Sequence, residues 1–227
     1  MTHQNIYTKF LIEYDKANVT SSYPSFTEYE AATILDKAYL ALISQKVTGN
    51  NARKAVFGED SKTLSDLQPL IVTDNIASTE FDQDRTFINY PNEYGVPLPL
   101  NFLYFISAAA YYDTQNNIVE NIILTQPQLA IKCGVTQHND PILKNSVCFL
   151  SSDNMCVFYD KKAHSNLPNT VNIQYIKKPE KFYGTSGIDT NTFELNDSMA
   201  EELINLAVII ALENVESPRT NQKINVS

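Results

Sequence analysis

Thr27-Glu28-Tyr29-Glu30-Ala31-Ala32-Thr33-Ile34-Leu35-Asp36-Lys37-Ala38-Tyr39-Leu40-Ala41-Leu42-Ile43 is the stretch from which the fold is read. Thr27 and Glu30 stand at the spacing of a capping box, in which each side chain satisfies the other residue's backbone N–H. Pro24 lies just upstream and Gly49 just past the far end, as start and stop signals require. Leu35, Ala38, Tyr39, Leu42 and Ile43 recur at three- and four-residue steps and share one face. The spacing predicts a helix over 28–47.

Three other segments carry the same period. Ile6, Tyr7, Phe10, Leu11 and Tyr14 predict a short helix over 5–17. Leu64, Leu67, Leu70 and Ile71 suggest another over 61–72, which Pro69 weakens because proline lacks the N–H that a helix interior uses. Near the C-terminus, Ser198-Met199-Ala200-Glu201 repeats the capping-box spacing, and Leu203, Leu206, Ala207, Ile210 and Ala211 follow on one face. Ile204, Val208 and Ile209 spread the apolar surface round this helix, so burial on more than one side is expected. Pro218 is expected to close it and to leave 219–227 as a loose tail. Residues 48–60 read as a loop.

The middle of the chain has a different period. Thr86-Phe87-Ile88-Asn89-Tyr90 is strand-like, and Phe102 to Tyr112 is β-rich despite three alanines. Pro97-Leu98-Pro99-Leu100 between them excludes a helix interior. The stretch 113–145 is mixed and turn-rich. Val147-Cys148-Phe149-Leu150 and Met155-Cys156-Val157-Phe158-Tyr159 flank Ser151-Ser152-Asp153-Asn154, which predicts a hairpin whose Asp and Asn tolerate positive φ. Val171-Asn172-Ile173-Gln174-Tyr175-Ile176 alternates as a half-buried strand and ends at Lys177-Lys178-Pro179. Helices at both ends with strands between predict an α+β fold. Its terminal helices, 1–72 and 196–227, form a helical bundle, and an antiparallel β-domain, 73–195, is inserted between them.

The chain has 227 residues, 17 basic and 26 acidic, for a net charge of −9. A protein that grips nucleic acid by its phosphates gathers Lys and Arg, so this balance argues against holding DNA. The deficit is spread: −2 over 1–75, −4 over 76–145, zero over 146–195 and −3 over 196–227. The later part of the β-region, 146–195, is thus the neutral part, with one local excess at Lys161, Lys162, Lys177, Lys178 and Lys181. That group suits either a phosphate or acidic partner surface or the protection of strand ends from edge pairing. No stretch is long and apolar enough to predict a membrane span, and the start lacks the basic-then-apolar pattern of a secretory signal. Asn is abundant without any site-level reading.

Chemistry is sparse in the sequence. It contains no G-x-S-x-G, P-loop or G-x-G-x-x-G, and six glycines leave little material for phosphate-cradling loops. Three cysteines, Cys133, Cys148 and Cys156, cannot all pair within one chain and read as reduced thiols. His3, His138 and His164 have no partner at metal-ligand spacing. Cys148 or Cys156 with His164 is the one conceivable thiol nucleophile pair, but both cysteines sit mid-strand, where a small apolar residue packs. Asp82/Asp84 and Glu201/Glu202 read as solvated carboxylates. No catalytic, cofactor-binding or metal residue is therefore assigned, and no cofactor is expected.

Four motifs in fixed order carry a resemblance. They are Phe26-Thr27-x-x-Glu30 with its helix, the Leu98-Pro99-Leu100-Asn101-Phe102 junction, Val171-x-Ile173-x-Tyr175-Ile176-Lys177-Lys178-Pro179, and Ala207-Val208-Ile209-Ile210-Ala211-Leu212-Glu213. Together they span most of the chain. In this order they resemble the head-to-tail connector proteins of tailed phages, the adaptor and ring proteins of the podovirus tail tubular protein A type, and most of all those of crAss-like phages. The resemblance implies a helical bundle carrying a β-domain, without enzyme activity. It implies a structural virion protein at the portal-tail neck, assembled in the bacterial host cytoplasm into a ring of roughly twelve copies. The partners it implies are the chain itself, the portal protein, neighbouring ring or tail proteins, and genomic DNA passing through the channel without specific binding. The loop 48–60 matches nothing in that pattern.

Acidic walls suit such a channel, because they repel phosphate and keep the polymer mobile. Ring contacts are heterologous, and the faces of 28–47 and 198–215 are the candidates for them. Two other classes remain open from the residues alone, a tail-tip or receptor-binding module and a small cysteine hydrolase.

Overall fold

The computed structural model describes residues 1–17, 25–49, 61–81, 93–113, 118–128, 146–159 and 167–224. The fold is α+β, and the chain divides into two compact units. One joins Met1–Leu70 to Pro179–Ser227, and the other is Ile71–Lys178.

In the first unit, α1 (His3–Ala17) and α2 (Glu28–Thr48) lie close to their expected spans. The capping box forms: Glu30 N–H donates to Thr27 Oγ1 at 3.3 Å, and Thr27 N–H donates to Glu30 Oε2 at 2.9 Å. At the far end Gly49 takes φ 73°, a left-handed position that favours a residue without Cβ. The helix expected over 61–72 is shorter. α3 (Ser61–Leu67) tightens into a 3₁₀ turn at Gln68–Leu70 that accommodates Pro69.

The last helix, α4 (Asp197–Ile224), corrects the sequence reading at both ends. Its N-cap is Asn196 rather than Ser198. Asn196 Oδ1 accepts Met199 N–H at 2.9 Å, and Asn196 C=O accepts Ala200 N–H at 3.1 Å. At the other end the backbone stays helical through Ile224, so Pro218 removes one hydrogen bond without ending the helix.

α4 packs against both α1 and α2. Leu35, Ala38, Tyr39 and Ile43 of α2 and Leu203, Ala207 and Ala211 of α4 are fully buried in this core. Residues 179–195, expected with the β-region, belong here instead. Asp36 Oδ1 on α2 accepts Phe182 N–H at 2.9 Å, and Phe182 and Phe193 pack around Tyr39 and His3. Phe193 N–H also donates to Met1 C=O at 2.9 Å. These long-range contacts fasten a segment with little regular structure to the helices.

The second unit holds seven strands: β1 (Ile71–Ala77), β2 (Glu93–Pro97), β3 (Phe102–Asp113), β4 (Ile118–Leu124), β5 (Val147–Ser151), β6 (Asn154–Phe158) and β7 (Thr170–Lys177). Their order is β1-β7-β3-β4-β5-β6-β2. The sheet is not wholly antiparallel as expected, since β4 and β5 run parallel. The long connection from Leu124 to Val147 permits this, because parallel neighbours need a crossover of a dozen or more residues. β1 and β4 are strands where the sequence predicted a helix end and a mixed, turn-rich stretch. The strand expected at 86–90 lies outside the described residues, as does the loop 50–60.

The sheet curls. Ile76 of β1 and Tyr94 and Val96 of β2, from opposite ends of the strand order, share one core with Ala108, Val157, Ile173 and Tyr175. The β5–β6 hairpin turns at Ser152-Asp153, and the positive φ falls on Ser152 (48°) rather than on Asp or Asn.

Candidate assembly surfaces

Among the described residues, the side chains weighed for chemistry are closed off or paired. Cys148 and Cys156 are free and buried. Cys148 joins the main sheet core, whereas Cys156 joins Val147, Phe149 and Phe158 in a separate cluster. Burial pushes both thiols up to about 12, so they stay protonated and non-nucleophilic near neutral pH. Cys133, His138, His164, Asp82, Asp84, Lys161 and Lys162 lie outside the described residues. Glu201 pairs with Lys9, and Glu202 lies 2.9 Å from Lys46 Nζ. Among the described residues no group of three or more His, Cys, Asp or Glu is placed to hold a metal ion.

His3 is fully buried, and its ring lies 4.5 Å from that of Phe182. Burial lowers its pKa, against the opposing pull of Asp189, Glu180, Glu194 and Asp36. A neutral imidazole therefore fills this aromatic pocket.

A polar network that the sequence did not reveal links three helices of the first unit. Lys46 Nζ on α2 lies 3.4 Å from Asp66 Oδ2 on α3 and 2.9 Å from Glu202 Oε2 on α4. Asn196 Nδ2 donates to the other Asp66 oxygen at 3.2 Å. Lys46 and Asp66 are nearly buried, so each needs its partners to offset lost hydration.

The helix faces expected to make ring contacts are largely spent inside the first unit. The apolar stripe of α2 is its own core, and within 197–215 of α4 Ile209 (52% exposed) is the large apolar residue that stands fully outside. No described helix is long and apolar enough to cross a membrane. The first unit holds 10 basic and 16 acidic residues, a balance of −6, against 7 and 10 in the second.

The second unit presents more. Its Pro99-Leu100-Asn101-Phe102 turn closes with Phe102 N–H donating to Pro99 C=O at 2.9 Å. Tyr175 Oη lies 2.8 Å from Asp74 Oδ2 and 2.9 Å from Asn101 Oδ1, and its single proton goes to the carboxylate. Leu100 at the tip is 99% exposed, and Lys178 Nζ reaches its C=O at 3.4 Å. Of the expected lysine group, Lys177 and Lys178 therefore flank an apolar tip.

The outward side of β1, β7, β3 and β4 is the other notable surface. Registers place Asn75, Asn172, Ala109 and Asn121 in one row across these strands. Val119 (47% exposed) and Ile123 (44%) lie on the same side of β4. Ser107 Oγ donates to Gln174 Oε1 at 3.3 Å across the neighbouring row.

No family model matches this chain. No curated protein matches it either.

Proposed function

We propose that the chain is a structural subunit of the connector between portal and tail in a phage virion. Roughly twelve copies form a ring that joins portal to neighbouring ring or tail proteins and lets the genome pass. In this reading α1, α2 and α4 act as a helical bundle, and the sheet unit is carried between its terminal parts. The ring sits at the virion neck after assembly in the host cytoplasm, and the subunit performs no catalysis.

The observation that carries the reading is the ordered set of four motifs. Each of them falls on framework: the capped start of α2, the braced turn before β3, the strand β7, and the middle of α4, where Ala207 and Ala211 are buried. The acidic balance of the helical unit supports it physically, since a wall that repels phosphate leaves DNA free to slide. The neutral, buried thiols weigh against the hydrolase alternative.

The test mixes the purified chain with the portal protein of the same genome and follows the mixture by sedimentation and negative-stain imaging. Rings seated on portal are expected. A chain that remains monomeric and leaves portal untouched would count against the proposal.

A further inference from the structure

We infer that the outward face of the sheet, centred on Asn172, is where a second copy of this chain docks. The inference rests on the self-assembling reading above and names the surface that reading leaves open.

Three outward positions on each of β1, β7, β3 and β4 make up the face, spanning Thr73–Ala77, Thr170–Gln174, Ser107–Tyr111 and Val119–Ile123. None of these outward residues is charged. An ordinary surface of twelve residues would carry about three or four charges. The alternate positions on the same strands, among them Ala108, Ala110, Val171 and Ile173, form the core, so the pattern belongs to one face.

Charge selects the occupant. Each copy carries −9, so two copies repel over most of their surface. A face without charge is where they approach without that cost, and interface centres are depleted of charge in general. Its chemistry also suits another neutral polar surface of the same chain. Each Asn amide both donates and accepts, so Asn75, Asn172 and Asn121 can pair across a contact without leaving a buried ion. Val119 and Ile123 add exposed apolar area at one margin.

Size fits repetition. Four strands and three rows cover about 400 Å², roughly half of one partner's share of a standard interface. A contact that small is weak alone and gains from closure of a ring.

Near-isosteric charge insertion tests the idea. The variants are Asn172→Asp at the centre, Asn121→Asp on β4, Asn172→Ser as an uncharged change, and Asn5→Asp on α1 as a charge placed elsewhere. Sedimentation velocity over a dilution series gives self-association, and far-UV circular dichroism checks folding. Each Asp on the sheet is expected to weaken association at least tenfold, the scale of an uncompensated interfacial charge. Asn172→Ser and Asn5→Asp are expected to stay within about threefold. Wild-type association that both sheet variants leave intact would overturn the docking face while leaving self-assembly standing. Equal weakening by Asn5→Asp would also overturn it, as an effect of net charge. Wild-type chain that stays monomeric throughout and binds only a different protein would overturn both the face's occupant and the self-assembling reading. If Asn172→Asp unfolds, Asn121→Asp at its exposed position decides.

Discussion

Replacing Asn196 by Ala separates the observed helix cap from the one the sequence suggests. Asn196 does two things in the folded chain: it caps α4 through Met199 N–H, and it supplies one hydrogen bond to Asp66. Loss of an N-cap costs about 1 kcal/mol. Depriving the nearly buried Asp66 carboxylate of one partner costs about another 1 kcal/mol, with Lys46 still in place. The sum is about 2 kcal/mol. Helices α1 to α4 all belong to the first unit, so the loss of ellipticity at 222 nm reports chiefly its unfolding. With a urea slope of about 2 kcal/mol per molar, the midpoint falls by about 1 M. Ser198→Ala, by contrast, is expected to cost less than about 0.5 kcal/mol, because Ser198 is exposed and makes no cap. Equal losses in the two variants, or a larger loss in Ser198→Ala, would refute the assignment.

Other expectations follow from single groups. Cys148 and Cys156 are expected to escape alkylation in native protein at pH 7.5 and to react in urea, as read by peptide mapping; rapid native labelling of either would contradict their burial. His3 has a folded-state pKa below its unfolded value of 6.5, so the unfolded chain binds more protons. Its contribution is therefore intact above pH 6.5 and is lost as pH falls toward the lower folded value. Urea midpoints of the helical unit are expected to drop across that window and to drop less in His3→Phe; identical pH profiles would refute the role given to His3. Tyr175→Phe removes the hydroxyl that donates to Asp74, at a cost of about 1.5 kcal/mol for a bond to a charged acceptor. Faster hydrogen exchange across β1 and β7 is the expected sign, and unchanged protection there would contradict it. Gly49→Ala is expected to lower the helical unit's stability by about 1 kcal/mol, since alanine resists the left-handed position; a neutral result would contradict that backbone geometry.

Local signals explain which parts of this fold were legible. The α2 cap needs only Thr27 and Glu30, three residues apart, and Gly49 needs only its own backbone, so both ends of that helix could be read. The start of α4 was misplaced, because spacing pointed to Ser198 while the cap that forms is Asn196. Asp66, 130 residues away, engages Asn196, and no local pattern contains that contact. β1 was hidden by Asp74. Its side chain sits on the inward side, where alternation demands an apolar residue, and Tyr175 makes that position tenable. β4, Ile118-Val119-Glu120-Asn121-Ile122-Ile123-Leu124, shows no clean period because Val119 and Ile123 are apolar on the outward side as well. Its pairing with β3 and β5 exists only in three dimensions.

The same limit applies to surfaces. An apolar helix stripe looks identical in sequence whether it faces its own core or a neighbour, and here α2 and most of α4 face the core. The uncharged sheet face was invisible for the opposite reason. Its rows draw one residue from each of four strands, scattered from Asn75 to Asn172 in the sequence. The abundance of Asn had no local meaning until register aligned Asn75, Asn172 and Asn121.

The connector reading is tested most directly by locating the chain on the virion. Gold labelling of a tagged copy, imaged by electron microscopy on intact particles, is expected to mark the neck between capsid and tail with several labels per particle. Label at the distal tail tip, or particles without label despite expression of the tagged chain, would contradict the account.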